Sequence, residues 1–350
     1  MMKVAIIGAG ASGLAAIKCC IDEGIEPVCY ERSSDIGGLW RYTDTVTEGQ
    51  SCVMKSTVIN TSKEMMCYSD FPIPEDYPIY MHNTYVQKYF NLYADKFNLR
   101  KYIQFDTEIL TVNKHTDFSK TGQWLMKIKN KKIDKVQDLV YDAVMVCTGH
   151  HAEKQVPDFP GLCNFKGKIL HSHDYRHPAG FEDKRVVIIG IGNSGGDMAV
   201  ELSRIASQGK VTLPSQEEMM SDIRNKEVAL KQRYVQSQRH TIQVDYIRYM
   251  DELAGLNGSL PDLKSMFLSD PILAFKCVFG PCTPYQYRLT GPGKWDGARE
   301  AIMTQWDRTW NSLKTRPLGF TEKNSQKNFF IFFLVFVTIF CYILQVAFIR

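Results

Sequence analysis

No long run of one charge occurs in the 350 residues. Forty-two Lys and Arg are interspersed with 38 Asp and Glu, for a net charge of +4. That balance argues against nucleic acid as a partner, because phosphate binding needs clustered cations. There is no disulfide framework either. The ten cysteines are scattered at 19, 20, 29, 52, 67, 147, 163, 277, 282 and 341. Cys19 and Cys20 share one helix with nothing to pair them, so a reduced, cytosol-facing chain is expected. The opening "MMKVAIIGAG" has no positively charged leader and no cleavage site, which argues against a secretory signal. His150, His151, His171 and His173 have no carboxylate or Cys partners at ligand spacing, so no metal is expected. Low-complexity tracts are lacking, and so is any internal repeat beyond two related glycine turns.

One long apolar run is present. Phe329 to Ile349, "FFIFFLVFVTIFCYILQVAFI", carries no charge over 21 residues. That length crosses the hydrocarbon core of a bilayer. Lys314, Arg316, Lys323 and Lys327 precede the run and only Arg350 follows it. The positive-inside bias then predicts a C-terminal membrane helix with the body in the cytosol. A helix lying in one leaflet is the alternative.

The two glycine turns carry the chemistry. "KVAII" reads as a strand, Gly8-Ala9-Gly10-Ala11-Ser12-Gly13 turns it, residues 11 to 23 read as a helix and 26 to 31 as a second strand. In Gly-x-Gly-x-x-Gly the first glycine makes the turn and the second admits a pyrophosphate to the backbone. The third packs helix on strand, so that the helix N-terminus faces the phosphates. Glu31 ends the second strand and can take ribose hydroxyls. An acid there favours a nucleotide without a 2′-phosphate. "GGLW", Gly37 to Trp40, is not required by a simple dinucleotide site. It is read as backbone wrapped over a longer cofactor, with Gly38, Leu39 and Trp40 against it; an ordinary turn gives the same letters. The second unit begins at Arg185 with "RVVII". Gly190-Ile-Gly192-Asn193-Ser194-Gly195, then Gly196 and Asp197, open a helix expected to stop near Gln208-Gly209.

Between the units, Val86, Tyr89, Phe90, Tyr93 and Phe97 predict an amphipathic helix over 84–97. Residues 105–146 predict a small meander ending in "AVMVC". Residues 41–80 are irregular. Ser215 to Glu218 reads as a capping box, and Asp270-Pro271 as a helix start. Cys52 and Cys67, or Cys277 and Cys282, do not fit the close cysteine pair of a redox-disulfide flavoenzyme and are read as ordinary thiols.

"FKGKILHSHDY" fits Phe-x-Gly-x-x-x-His-x-x-x-Tyr through Phe165, Gly167, His171 and Tyr175. With this segment between the two fingerprints, the chain resembles the flavin-containing monooxygenases. "DAVMVCTGH" (142–150), "INTSKEMMCYSDFP" (59–72) and "GPCTPYQYRLTGPG" add to the resemblance, which covers nearly the whole chain. It implies an α/β protein with two Rossmann-like folds. FAD would sit at Gly8–Gly13, Glu31, Gly38–Trp40, Asn60 and Thr61, and NADPH at Gly190–Asp197. It implies oxygenation of soft nitrogen or sulfur nucleophiles by O2 through a flavin hydroperoxide, with Asn60 as the catalytic residue. Amine or thioether substrates and the endoplasmic reticulum membrane follow, with membrane lipid a partner through the C-terminal helix. An Asx turn in "INTS" is the plainer reading of Asn60, and a packing role that of His171 and Tyr175. Oligomeric state is left open, a homo-oligomer included.

The resemblance breaks after the second fingerprint. A middle segment is missing, with the join near Gln208 to Lys210. The division expected is 1–150 for FAD, 151–209 for a partial NADPH unit, 210–327 for a helical region completing the body and 328–350 for the anchor. An active monooxygenase is one reading. An FAD-binding, membrane-anchored short form with little NADPH-driven turnover is the other.

Overall fold

The computed structural model describes residues 1–190, 192–212 and 246–313. The chain begins with β1 (Lys3–Ile7), α1 (Ala11–Asp22) and β2 (Glu26–Tyr30). β1 and β2 pair in parallel, Ile7 opposite Tyr30. An irregular stretch holds one helical turn, α2 (Lys63–Met66), before α3 (Asn83–Lys96) and the short β3 (Ile103–Gln104). Next come β4 (Thr107–Lys114), α4 (Phe118–Thr121), β5 (Trp124–Asn130) and β6 (Lys135–Tyr141). These three strands form an antiparallel meander. β7 (Ala143–Val146) leaves the meander and pairs in parallel with β1, giving a sheet ordered β3-β2-β1-β7.

β1 is apolar on both faces because both faces are covered. Val4 and Ile6 point into one cluster and Ala5 into another, with Ile7 packed at the latter's edge, as the twofold period of a strand requires. The meander supplies Met126, Ile128 and Tyr141 to the second cluster. The first receives Leu14 and Ile17 from α1 and Val86, Tyr89 and Phe90 from α3. It also receives Leu273, Tyr285, Ala301 and Ile302 from far along the chain.

The second unit contains β8 (Arg185–Ile189), α5 (Asn193–Leu202) and β9 (Gln208–Thr212). β8 and β9 pair in parallel as a two-stranded sheet, Ile189 opposite Thr212. This corrects the expectation that the helix stops near Gln208-Gly209. The helix ends at Leu202, and Ser207 N–H donates to the Lys184 carbonyl (3.1 Å), which turns the chain back beside β8. The unit's core is small: Met54, Tyr175, Ile188, Met198 and Leu202. Val187 and Ile189 are each 61% exposed, so one face of β8 is open.

Among the described residues, four α-helices follow: α6 (Tyr246–Asn257), α7 (Leu263–Ser269), α8 (Pro271–Phe279) and α9 (Ala298–Leu313). α8 starts as its sequence predicts, with Asp270 Oδ1 accepting from Leu273 N–H (3.1 Å) and Pro271 in the first turn. The capping box at 215–218 and the run at 329–349 lie outside the described residues. Among the described residues, no helix is long and apolar enough to cross a membrane.

Candidate dinucleotide-binding sites

The first cradle is set by steric exclusion. Gly8 has φ +100°, and a Cβ on it would lie 2.6 Å from the Cys147 carbonyl oxygen. A Cβ on Gly13 would lie 1.9 Å from the Gly8 oxygen, so only glycine lets α1 start this close to β1. Gly10 differs. Its φ is −80°, and its Cβ would meet nothing nearer than the Gly38 Cα at 3.6 Å. The fold does not itself demand glycine there, which leaves close ligand approach as the reason for it. Gly10 caps α1 with no side-chain cap bond and no acid in the first turn. Ala11 and Ser12 are exposed. The first-turn N–H groups thus face outward as anion donors.

Glu31 is buried, and its carboxylate closes the cradle. Oε2 accepts from Ala9 N–H (2.8 Å) and Oε1 from Ser33 N–H (2.8 Å). Ionised oxygens retain further lone pairs for ribose hydroxyls. A polar cavity of about 340 Å³ lies beside it, with Arg32, Ser33, Arg41, Tyr42, Asp106 and Lys131 among its lining.

Gly37 N–H donates to the Ala9 carbonyl (3.1 Å), which ties "GGLW" to the fingerprint. Gly37 has φ +117°, and its Cβ would fall 1.9 Å from Gln87 Oε1. Gln87, on α3, donates from Nε2 to the Ile36 carbonyl (2.9 Å), while its Oε1 is buried without a partner. Gly38, Leu39 and Trp40 form a half-buried 3₁₀ turn, with Gly38 facing Gly10. Asp35 precedes it. Its Oδ1 accepts from Ile36 N–H (2.8 Å) and Arg100 Nη1 (2.8 Å). Burial opposes the Asp35 charge, and these donors outweigh burial, so its pKa lies below 3.8.

Asn60 and Thr61 are exposed on the turn before α2. Among the described residues, no side-chain bond of Asn60 forms an Asx turn. Nearby, Tyr68 OH donates to the Ala11 carbonyl (2.7 Å), so the segment after Asn60 touches the first fingerprint.

The second cradle repeats the first in backbone. Gly190 has φ +102°, and a Cβ on Gly195 would lie 2.3 Å from the Gly190 oxygen. Gly192 caps α5 without a side-chain bond, and Gly190, Gly192, Asn193, Ser194 and Asp197 are exposed; Gly196 is half-buried. Burial and then Glu201 raise the Asp197 pKa. The surroundings differ. Among the described residues, nothing lies within 4 Å of a Cβ on Gly190, whereas Gly8 is walled by Cys147 at the end of β7. β1 has strands on both sides; among the described residues, β8 pairs with β9 alone.

The Phe-x-Gly segment packs at its Tyr175 end, while Phe165 is 58% exposed and Gly167 is exposed. A Cβ on Gly167 would strike the Phe165 ring at 2.6 Å, and Tyr175 is 1% exposed with its hydroxyl on Glu201 Oε2 (2.6 Å). His171 Nδ1 accepts from His173 N–H (3.1 Å). The nine described cysteines are free, and among the described residues no cluster suits a metal. Sequence reasoning missed Gln87, Lys63, Glu64 and Arg308. None has a signal in adjacent residues: Gln87, Glu64 and Arg308 act on partners far along the chain, and Lys63 on carbonyls 11 to 14 residues on.

Two parallel βαβ units with bare helix N-termini define a dinucleotide-binding α/β protein. The family model described as flavin-binding monooxygenase-like matches residues 1–211 and 207–348. The chain belongs to that family, the FAD- and NADPH-dependent flavoprotein monooxygenases. It is 35% identical to flavin-containing monooxygenase 5 of Cavia porcellus over 99% of this chain and 98% of the relative. It is 33% identical to dimethylaniline monooxygenase [N-oxide-forming] 2 of the same animal, over 97% and 98%. The first alignment spans 532 positions, far more than the 350 of this chain, so the relative carries an internal segment absent here. The two matched stretches meet at 207–211, within β9 and the turn before it. Among solved structures, S-allyl-L-cysteine S-oxygenase of Allium sativum is similar at a TM-score of 0.56 and 29% identity. That match covers 61% of this chain and 52% of the other, so the chain spans about half that structure's length.

Proposed function

We propose that this chain is an FAD-binding monooxygenase whose first site is complete and whose NADPH site is weakened by the internal shortening. The observation that carries this is the contrast between the cradles: the same backbone turn, set in a four-stranded covered sheet at Gly8 and a two-stranded half-open one at Gly190. The residues present fit FAD. Gly8, Ala9, Gly10, Ala11, Ser12 and Gly13 would receive its pyrophosphate and Glu31 its ribose, Gly38, Leu39 and Trp40 would cover it, and Asn60 and Thr61 would serve the flavin ring. When bound, the flavin supplies electron transfer and oxygen activation. The protein's part is to hold phosphates on first-turn N–H groups, orient an amide at Asn60 and exclude water.

Gly190, Gly192, Asn193, Ser194, Gly195, Gly196 and Asp197 would hold the NADPH pyrophosphate. The division proposed is 1–150 for FAD, 151–209 for a partial NADPH unit, 210–327 for the helical region and 328–350 for an anchor in the endoplasmic reticulum membrane, the body facing the cytosol. Soft amines and thioethers are the proposed substrates, with O2. The names of the N-oxide-forming and S-oxygenase relatives support both.

Gly10→Val tests the FAD assignment. The position has room for a side chain but not for a side chain and a pyrophosphate together. The variant is expected to fold, by circular dichroism, and to lose its flavin. Flavin content equal to the parent's would refute the site.

A further inference from the structure

The turn bearing Asn60 is fixed on both sides by residues that have no place in a surface loop. Ile59 is buried, and its N–H donates to the Met81 carbonyl (2.9 Å). Lys63 is 0% exposed. Its ammonium donates to the carbonyls of Pro74 (3.2 Å), Glu75 (2.8 Å) and Tyr77 (3.0 Å), and burial lowers its pKa. The next residue, Glu64, is also buried and accepts a fork from Arg308 on α9: Nη2 to Oε2 at 2.8 Å and Nε to Oε1 at 3.2 Å.

Arg308 is itself held. It donates to the Ala301 carbonyl (2.8 Å) and Thr304 Oγ1 (2.6 Å), and its guanidinium lies 5.5 Å from the centre of the Tyr285 ring. Burial opposes its charge and Glu64 outweighs burial, so its pKa is raised. Two adjacent buried charges at the start of a four-residue helix are costly unless each is fully paired. One turn of helix cannot maintain itself. α2 is thus held by its partners, and the strongest of these is a bidentate ion pair from the other end of the chain.

We propose that Arg308 is a positioning residue: its fork on Glu64 fixes α2, and through it the Asn60–Thr61 turn, against the flavin site. This rests on the reading of Asn60 as a group that faces the flavin. The C-terminal helices would then do more than complete the core. They set the geometry of the turn just before Glu64, a residue 244 positions earlier in the chain than Arg308.

The test uses the full, FAD-loaded chain with Arg308→Met, Arg308→Lys, Asn60→Ala and the Asn60→Ala/Arg308→Met double variant. Amide hydrogen exchange over 57–66 is expected to rise about tenfold or more in Arg308→Met, while 3–22 keep their protection, because local opening is separable from global unfolding. Arg308→Lys, with the charge but not the fork, is expected to fall between. The second readout is re-oxidation by O2 of bound flavin reduced with dithionite, which needs no NADPH. Arg308→Met is expected to change that rate roughly fivefold with Asn60 present and hardly at all in the Asn60→Ala background, the non-additivity of residues acting through one another. Unchanged exchange over 57–66, or equal rate changes in both backgrounds, would overturn the proposal. If Asn60→Ala leaves re-oxidation unaltered while Arg308→Met still raises exchange, the flavin role of Asn60 fails and the clamp on α2 remains as packing alone.

Discussion

The two glycine cradles differ less in themselves than in what surrounds them. Gly8 and Gly190 share a φ near +100°, and Gly13 and Gly195 each abut the first glycine's carbonyl. Around the first, β2 and β7 flank β1, the meander covers one face, and α1, α3 and the C-terminal helices cover the other. Around the second, among the described residues, one strand pairs, and Val187 and Ile189 on one face of β8 are exposed. A phosphate cradle is a local backbone device, legible in six residues. Its rigidity is a property of the sheet that carries it, and that depends on chain hundreds of residues away. A shortened sequence can therefore keep both fingerprints and only one firm site.

The largest effect expected separates the two cradles directly. Gly13→Val drives side-chain atoms into the Gly8 oxygen and should abolish flavin binding and soluble folded protein. Gly195→Val, an equivalent clash, should leave flavin content near the parent's, measured by visible absorbance per chain. Equal loss in both variants would mean that the units do not stand apart.

Gly37→Ala comes next. It places a β-carbon at φ +117° and against Gln87. A cost of about 1–3 kcal/mol for the strained backbone is expected, seen as weaker flavin retention on dilution. Adding Gln87→Ala should relieve the clash and not the backbone strain, so recovery should be partial. Glu31→Gln is expected to act at the same cradle. The Ala9 and Ser33 N–H groups both lose their charged acceptor, and one is left facing an amide NH2, at about 1.5–3 kcal/mol for each such bond. Titration with FAD would measure it, and unchanged affinity would remove Glu31 from the site.

The smallest effect concerns pH. The folded pKa of Asp35 lies below its ordinary 3.8, so its contribution is full above 3.8 and is lost as pH falls through the lower folded value. The melting-temperature deficit of Asp35→Asn should be constant from neutrality to about pH 4, then shrink. A deficit that grows on acidification would contradict the Asp35–Arg100 contact.

Much of this contrast could be read from the sequence. Apolar alternation and glycine spacing marked β1, α1, β2, α3, β8 and α8 to within a residue or two. Those signals are local, set by side-chain period and backbone sterics. The end of α5 was misplaced because "SRIASQGKV" continues the helical period while its backbone turns back at Ser203 to start β9. Lys63 and Glu64 carry no burial signal of their own, since nothing adjacent announces that Pro74 and Arg308 will cover them. Gln87 sits on the polar stripe of α3, and only the fold brings Gly37 against it. Cradles are written in adjacent residues; their supports are written in pairs far apart.

The central claim is that the flavin site stands and its NADPH supply is impaired. Anaerobic stopped-flow reduction of the flavin-loaded chain tests it most directly. Dithionite should bleach the bound flavin fully, while NADPH should reduce it slowly and without saturating. Rapid, saturable reduction by NADPH would contradict the account.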